Sequence, residues 1–180
     1  MGRTGRVYRK VRANFTDKPT FFTWVRDAKV AASGRPYSKA QVDWLKDNGV
    51  TAILTLTEEP LPGEWTKGIE NHHISLSDHA ALSASQMKLG ADFIASALSE
   101  GKVVLVHCLA GKGRTGCVLA AYMMAYEGKT ARQAIDELRS MRGGSVERPQ
   151  ERNVLEFEAE ALSGWSSRAP RRETTTRTPP

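Results

Sequence analysis

The chain has 180 residues, 40% of them hydrophobic and 26% charged, and carries a net charge of +6. That length suits one domain with a substantial core, and the composition is ordinary for a soluble globular protein, which excludes collagen-like and intrinsically disordered classes. No run of about 18 apolar residues is present to form a transmembrane helix, and two cysteines make no disulfide framework.

The basic excess is unevenly placed. Residues 1–18 carry +5 and residues 163–180 carry +3, which leaves the body at −2. The body is therefore no basic nucleic-acid-binding surface, and nucleic acid is not an expected partner. The two ends read as solvated basic extensions that could contact acidic partners. No apolar stretch follows the basic N-terminus as in a signal peptide. Arg6 stands where a myristoylation signal needs Ser or Thr. A cytoplasmic, reducing compartment and a monomer are expected. Residues 1–20 form the N-terminal extension, with some order around Val7, Tyr8 and Val11. Residues 21–162 form the folded domain, and 163–180 a Ser/Arg/Thr/Pro-rich tail.

Phe21 to Val25 reads as a strand, with Ala28 to Ala31 pairing beside it. Ser38 caps a helix whose inner face carries Val42, Leu45 and Trp44, and Asn48-Gly49 ends it. Val50 to Leu56 is a β-rich apolar run of the kind a buried parallel strand shows. A loop, 57–63, follows at that strand's C-terminal end, where ligand sites gather in open α/β sheets. Ile69 to Leu76 reads as the next strand, with His72 and His73 as structural residues. Ser83 and Gln86 form a capping box for a helix to about Glu100, with Met87, Ala91, Ile94 and Leu98 facing inward. A strand over 102–107 leads into a glycine-rich loop and a helix from Thr115 to Glu127. Thr130 caps a further helix bearing Ala134, Ile135, Leu138 and Met141, and a last helix runs from Glu147 or Pro149 to Leu162.

The chemistry centres on His107-Cys108-Leu109-Ala110-Gly111-Lys112-Gly113-Arg114-Thr115. Glycines let this loop curl tightly. At a helix N-terminus its backbone N–H groups form an anion cradle reinforced by the helix dipole. A cysteine there, with cations beside it, ionises well below its usual pKa of about 8.5 and becomes a nucleophile. Arg114 closes the loop with a planar fork that holds two phosphate oxygens, which lysine cannot do. Such donors match the charge of a phosphoryl-transfer transition state. The Thr115 hydroxyl could bond the sulfur and improve it as a leaving group, and His107 could brace the loop through a backbone carbonyl. Four scattered histidines give no metal-ligand spacing, and no metal or cofactor is expected.

The motif H-C-x5-R-[ST] is matched at every position, and the chain resembles the cysteine-based protein tyrosine phosphatases from about Phe22 to Leu162. The likeness is to the small dual-specificity type, including compact archaeal and atypical enzymes. It implies an α/β fold with a central, mostly parallel sheet flanked by helices and a phosphate-binding loop between strand and helix. Leu109, Ala110, Gly111, Lys112, Gly113 and Arg114 would then bind phosphate, with Cys108 as nucleophile. Asp78, about thirty residues upstream in a strand-to-helix loop, would be the general acid, because a serine alkoxide cannot leave unprotonated. The family's proline near Ala81 or Leu82 is missing. Glu58 matches an acidic loop residue that faces the pocket. Gln150 matches a water- or loop-orienting glutamine, although Arg148-Pro149 replaces the usual Thr-Tyr.

The reading favoured is a phosphatase acting on phosphotyrosine, and on phosphoserine and phosphothreonine, in proteins. No long insertion after Leu56 deepens the pocket. The alternatives are a phosphoinositide phosphatase, an RNA 5′-phosphatase or a phosphate-capturing module without turnover. Lys112 favours a polyanionic head group, although the best-matched lipid branch also has Lys where Leu109 stands. Cys117 is expected one turn inside the helix, packed in the core, with a disulfide to Cys108 as a minor alternative.

Overall fold

The structure is a computed structural model and describes residues 16–78 and 81–164. The expected order near Val7, Tyr8 and Val11, His79, and the tail after residue 164 lie outside the described residues. Five strands, β1 (Thr23–Arg26), β2 (Val30–Ser33), β3 (Ala52–Thr55), β4 (Glu70–His73) and β5 (Val104–His107), form one sheet in the order β1-β2-β5-β3-β4. β1 runs antiparallel to β2, with an irregularity between Trp24 and Arg26, and the other pairings are parallel. The helices are α1 (Lys39–Asp47), α2 (Ala84–Ser99), α3 (Gly113–Glu127), α4 (Ala131–Met141) and α5 (Arg148–Gly164). The fold is thus the α/β architecture expected.

β2, β3 and β5 are buried along their whole length, as parallel strands covered on both faces must be. Their side chains alternate between two cores with the period of two that a pleated strand imposes. Val30, Ala32, Leu54, Val104 and Val106 face α2 to α5. Ala31, Ile53 and Leu105 face Val42 and Leu45 of α1, under an edge of Phe22, Trp24 and Trp44. α1 is capped by Ser38, while α2 and α4 each begin with a reciprocal capping box, Ser83 with Gln86 and Thr130 with Gln133.

The strands are shorter than the apolar runs suggest. Val50 and Leu56 belong to the core but lie just outside β3, and β4 is confined to Glu70–His73. β4 is an edge strand, so its side chains lack the double cover of the central strands. His72 stacks on Phe93 with ring centroids 4.9 Å apart, and His73 Nε2 lies 2.8 Å from the Thr57 carbonyl, so both are structural. α3 begins at Gly113, two residues earlier than expected, which draws Arg114 and Thr115 into its first turn. The helix is buried from Gly113 to Ala121 because α2, α4 and α5 surround it.

Candidate active site

Ser33, Thr55, His73 and His107 end their strands in register at one edge of the sheet. The loop after β5 leaves from the middle of that edge. Four of its carbonyls have donors on their outer side. Cys108 O receives the His107 imidazole at 3.4 Å, and Leu109 O the Arg35 amide at 3.2 Å. Gly111 O receives Arg142 Nη2 at 2.8 Å, and Lys112 O the Gly116 amide at 2.9 Å. There are no cis peptides among the described residues. In a trans peptide the N–H after each carbonyl points the opposite way. The amides of Leu109, Ala110, Lys112 and Gly113 are therefore turned inward. Gly111 adds its own amide to Cys108 Sγ at 3.3 Å, and its φ of 74° brings it so close to Ser33 that a Cβ would collide with the Ser33 carbonyl. Lys112 supplies no side-chain cap to α3, so the helix N-terminus is left open to an anion.

Cys108 sits at the floor, 2% exposed, beneath Arg114, also 2% exposed. Arg114 Nη1 donates to the Leu76 carbonyl at 2.7 Å, and Nη2 to Asp78 Oδ1 at 2.7 Å. The Asp78 amide donates to Glu58 Oε1 at 2.8 Å, and Glu58 Oε2 lies 3.9 Å from Arg114 Nη1. Glu58 therefore holds the Asp78 loop from outside and does not line the pocket. With Asp78 seated on Arg114, the space left at the floor is about 10 Å³.

His107 is wholly buried between the Cys108 carbonyl and the Thr55 hydroxyl, which lies 2.9 Å from Nε2. Burial, together with the nearby Arg35 and Arg114 charges, pushes its imidazole down to about 3, so it is neutral and braces the loop. Thr115 Oγ1 is buried without a hydrogen-bond partner, so the expected bond from this hydroxyl to the sulfur is not formed. Its position inside the first turn of α3, rather than at the loop mouth, accounts for the difference. Cys117 is buried, and desolvation pushes its thiol up to about 12. Both cysteines are free.

Gln150 reaches the pocket. It is 4% exposed, and its Oε1 has no hydrogen-bond partner. Glu147 lines the pocket too, which the sequence reading missed. Its spacing of three from Gln150 at a helix start puts both on one face, and that signal was legible. Both lean over Gly113, where a Cβ would lie 2.7 Å from Glu147 Oε2 and collide with Gln150 Oε1. Val146, a β-branched residue at φ 53°, kinks the chain so that this face meets the loop. Arg35 was also missed. Its guanidinium bonds the Thr57 hydroxyl and the Glu59 and Pro60 carbonyls, fixing the loop that carries Glu58.

Lys112 contributes its amide, but its ammonium lies 5.2 Å over the Phe21 ring beside Gly144 and is not among the pocket-lining residues. Beyond Leu109 and Glu58 a wider cleft of about 520 Å³ opens, lined by Tyr37, Trp65 and Glu59 among others. Among the described residues, no helix is long and apolar enough to cross a membrane.

Residues 19–155 match the family model described as "PTP-SAK: Swiss Army Knife protein, DSP-PTPase phosphatase domain". The chain is 33% identical over 103 residues to dual specificity protein phosphatase 12 of Rattus norvegicus, covering 56% of this chain and 30% of that one. It therefore spans about a third of that relative's length. It is 29% identical over 156 residues to the phosphatidylglycerophosphate phosphatase PTPMT2 of Arabidopsis thaliana, covering 83% and 68% of the two chains. The crystal structure of Tk-PTP in the active form superposes with a TM-score of 0.70 at 32% identity, covering 78% of this chain and 97% of that one.

Proposed function

Because the chain belongs to the dual-specificity phosphatase family of the cysteine-based protein tyrosine phosphatase superfamily, we propose that it dephosphorylates phosphotyrosine and phosphoserine/phosphothreonine in proteins. The observation that carries the reading is the convergence of Cys108, Arg114 and Asp78 on one inward-facing ring of amides. The dianion displaces Asp78 from Arg114 and takes the guanidinium fork and the loop N–H groups. Cys108 Sγ attacks phosphorus and the ester P–O bond breaks, while Asp78, freed from Arg114, takes up a proton from solvent and passes it to the departing oxygen. In the second step water attacks phosphorus, the P–S bond breaks, and Asp78 takes the water's proton. The orphaned Gln150 oxygen accepts a hydrogen bond from that water and orients it.

Protein substrates are favoured over inositol lipids by the charge around the pocket. Asp78 and Glu147 line it, Glu58 and Glu59 line the adjoining cleft, and the Lys112 ammonium is turned onto Phe21. A polyphosphorylated head group needs cations beyond Arg114, whereas a phosphopeptide with basic or aromatic neighbours fits a cleft walled by Glu59, Tyr37 and Trp65. The deciding experiment compares kcat/KM on phosphotyrosine peptide, phosphoserine peptide, phosphatidylinositol phosphates, phosphatidylglycerophosphate and 5′-triphosphate RNA. The peptides are expected to lead, with Lys112→Ala within about twofold of wild type on them. A lipid leading the series, with Lys112→Ala slowing it selectively, would replace this reading by the lipid one.

A further inference from the structure

Arg142 is the most unusual buried group outside the pocket lining. It ends α4, is 1% exposed, and has no carboxylate in ion-pair range among the described residues. Its partners are neutral. Nη1 donates to the Phe21 and Ala32 carbonyls, both at 2.9 Å, and Nη2 to the Gly111 carbonyl at 2.8 Å. The guanidinium carbon lies 4.3 Å over the Phe21 ring, and Nε has no partner. A cation buried against carbonyls alone is costly, and an apolar side chain of similar volume serves packing better. Stability by itself therefore does not explain an arginine here. What it touches does. Gly111 O is the outward carbonyl whose peptide turns the Lys112 amide inward.

We infer that Arg142 is a positioning residue for the phosphate loop. Its fork holds the Gly111–Lys112 peptide with the N–H toward the incoming phosphoryl group, and its uncompensated charge favours an anion at Cys108. Phe21 is an integral part of the device. Its φ of 56° turns its carbonyl and ring onto the guanidinium, so one arginine ties β1's approach, β2 and the loop together. Burial holds this guanidinium down at about 10, and the opposing influence raising it is the charge of Cys108. That coupling is the one expected if cation and thiolate support each other across the loop.

The inference rests on the phosphate-binding reading of the loop, and the test separates the two. Full-length wild type, Arg142→Gln and Arg142→Lys are compared by melting temperature, inhibition by inorganic phosphate, kcat and KM on p-nitrophenyl phosphate, and the pH profile of Cys108 alkylation by iodoacetamide. Arg142→Gln should weaken phosphate inhibition about tenfold, lower kcat by a similar factor, and move the alkylation profile about one pH unit upward. Arg142→Lys keeps the charge and loses the fork. It should leave the alkylation profile near wild type and still weaken phosphate inhibition and turnover. A folded Arg142→Gln enzyme with the wild-type alkylation profile and phosphate inhibition makes Arg142 a packing residue only and overturns the inference. Wild-type phosphate inhibition and kcat in Arg142→Lys overturn it too, however the glutamine variant folds. Failure of both variants to fold assigns Arg142 to the core alone and has the same consequence. Alkylation needs no turnover, so a wild-type protein that hydrolyses nothing removes the enzymatic reading and leaves the alkylation comparison intact.

Discussion

In the proposed cycle Asp78 holds two positions, and the ion pair at 2.7 Å from Arg114 is the first of them. Until a dianion arrives, the carboxylate occupies Arg114 Nη2. Afterwards it is free to move a proton. Asp78→Asn should therefore have two effects of opposite sign. Inorganic phosphate should inhibit more strongly, because a competing and repelling carboxylate is gone. Turnover of an alkyl phosphomonoester should fall by about 10²–10⁴-fold, the range of general acid catalysis. The loss should shrink for p-nitrophenyl phosphate, whose leaving group needs little protonation. A plot of log kcat against leaving-group pKa checks this. An unchanged slope in Asp78→Asn would move the acid elsewhere, with Glu147 next in line because it shares the pocket lining.

At the scale of elements, the site is where α3 and the start of α5 touch. Gly116 marks the closest approach. A Cβ there would lie 2.5 Å from the Val146 backbone nitrogen, which cannot yield as a side chain could. Gly116→Ala would gain helix propensity of up to about 1 kcal/mol. It should nevertheless destabilise by about 1–3 kcal/mol through overpacking, as measured by urea unfolding. Activity should fall further than stability, because pushing Val146 outward carries Glu147 and Gln150 off Gly113. Much of this architecture is legible in the sequence. Ser83 with Gln86 announces α2, and the apolar spacing of Ala134, Ile135 and Leu138 announces the inner face of α4. The start of α3 is not legible, because Lys112-Gly113 has no capping side chain and the helix begins where the curl of the loop delivers it. The spacing of Glu147 from Gln150 is legible, but that this face meets the loop is not, since the approach depends on Val146 adopting φ 53°.

Taken as a whole, the molecule places a neutral histidine at its centre, between β3 and the phosphate loop. His107 has a folded-state pKa of about 3, below the value of 6.5 for a free imidazole. Its contribution to stability is therefore fully present above pH 6.5 and is lost as the pH falls below that value, because the unfolded chain gains a proton that the fold refuses. Between pH 7 and pH 5 this costs about 2 kcal/mol in unfolding free energy. Urea denaturation at the two pH values should show that loss in wild type and a markedly smaller one in His107→Gln. Equal losses would mean that the imidazole is protonated in place.

By itself, the sequence determined the chemistry of the loop, the order of the elements and the two-faced burial of the central strands. Those depend on residues close along the chain or on periodicities of two and 3.6. Tertiary structure alone decided how distant groups meet the loop. Asp78 on Arg114, Arg35 on the 57–60 segment and Arg142 on Gly111 are brought together by parallel strand order, across separations no local pattern encodes. It also decided the setting of Lys112, whose ammonium reads in the motif as an extra cation for a polyanionic head group and lies on Phe21 in the fold. A side chain's type is written in the sequence, but the direction it faces follows from what the finished sheet leaves room for.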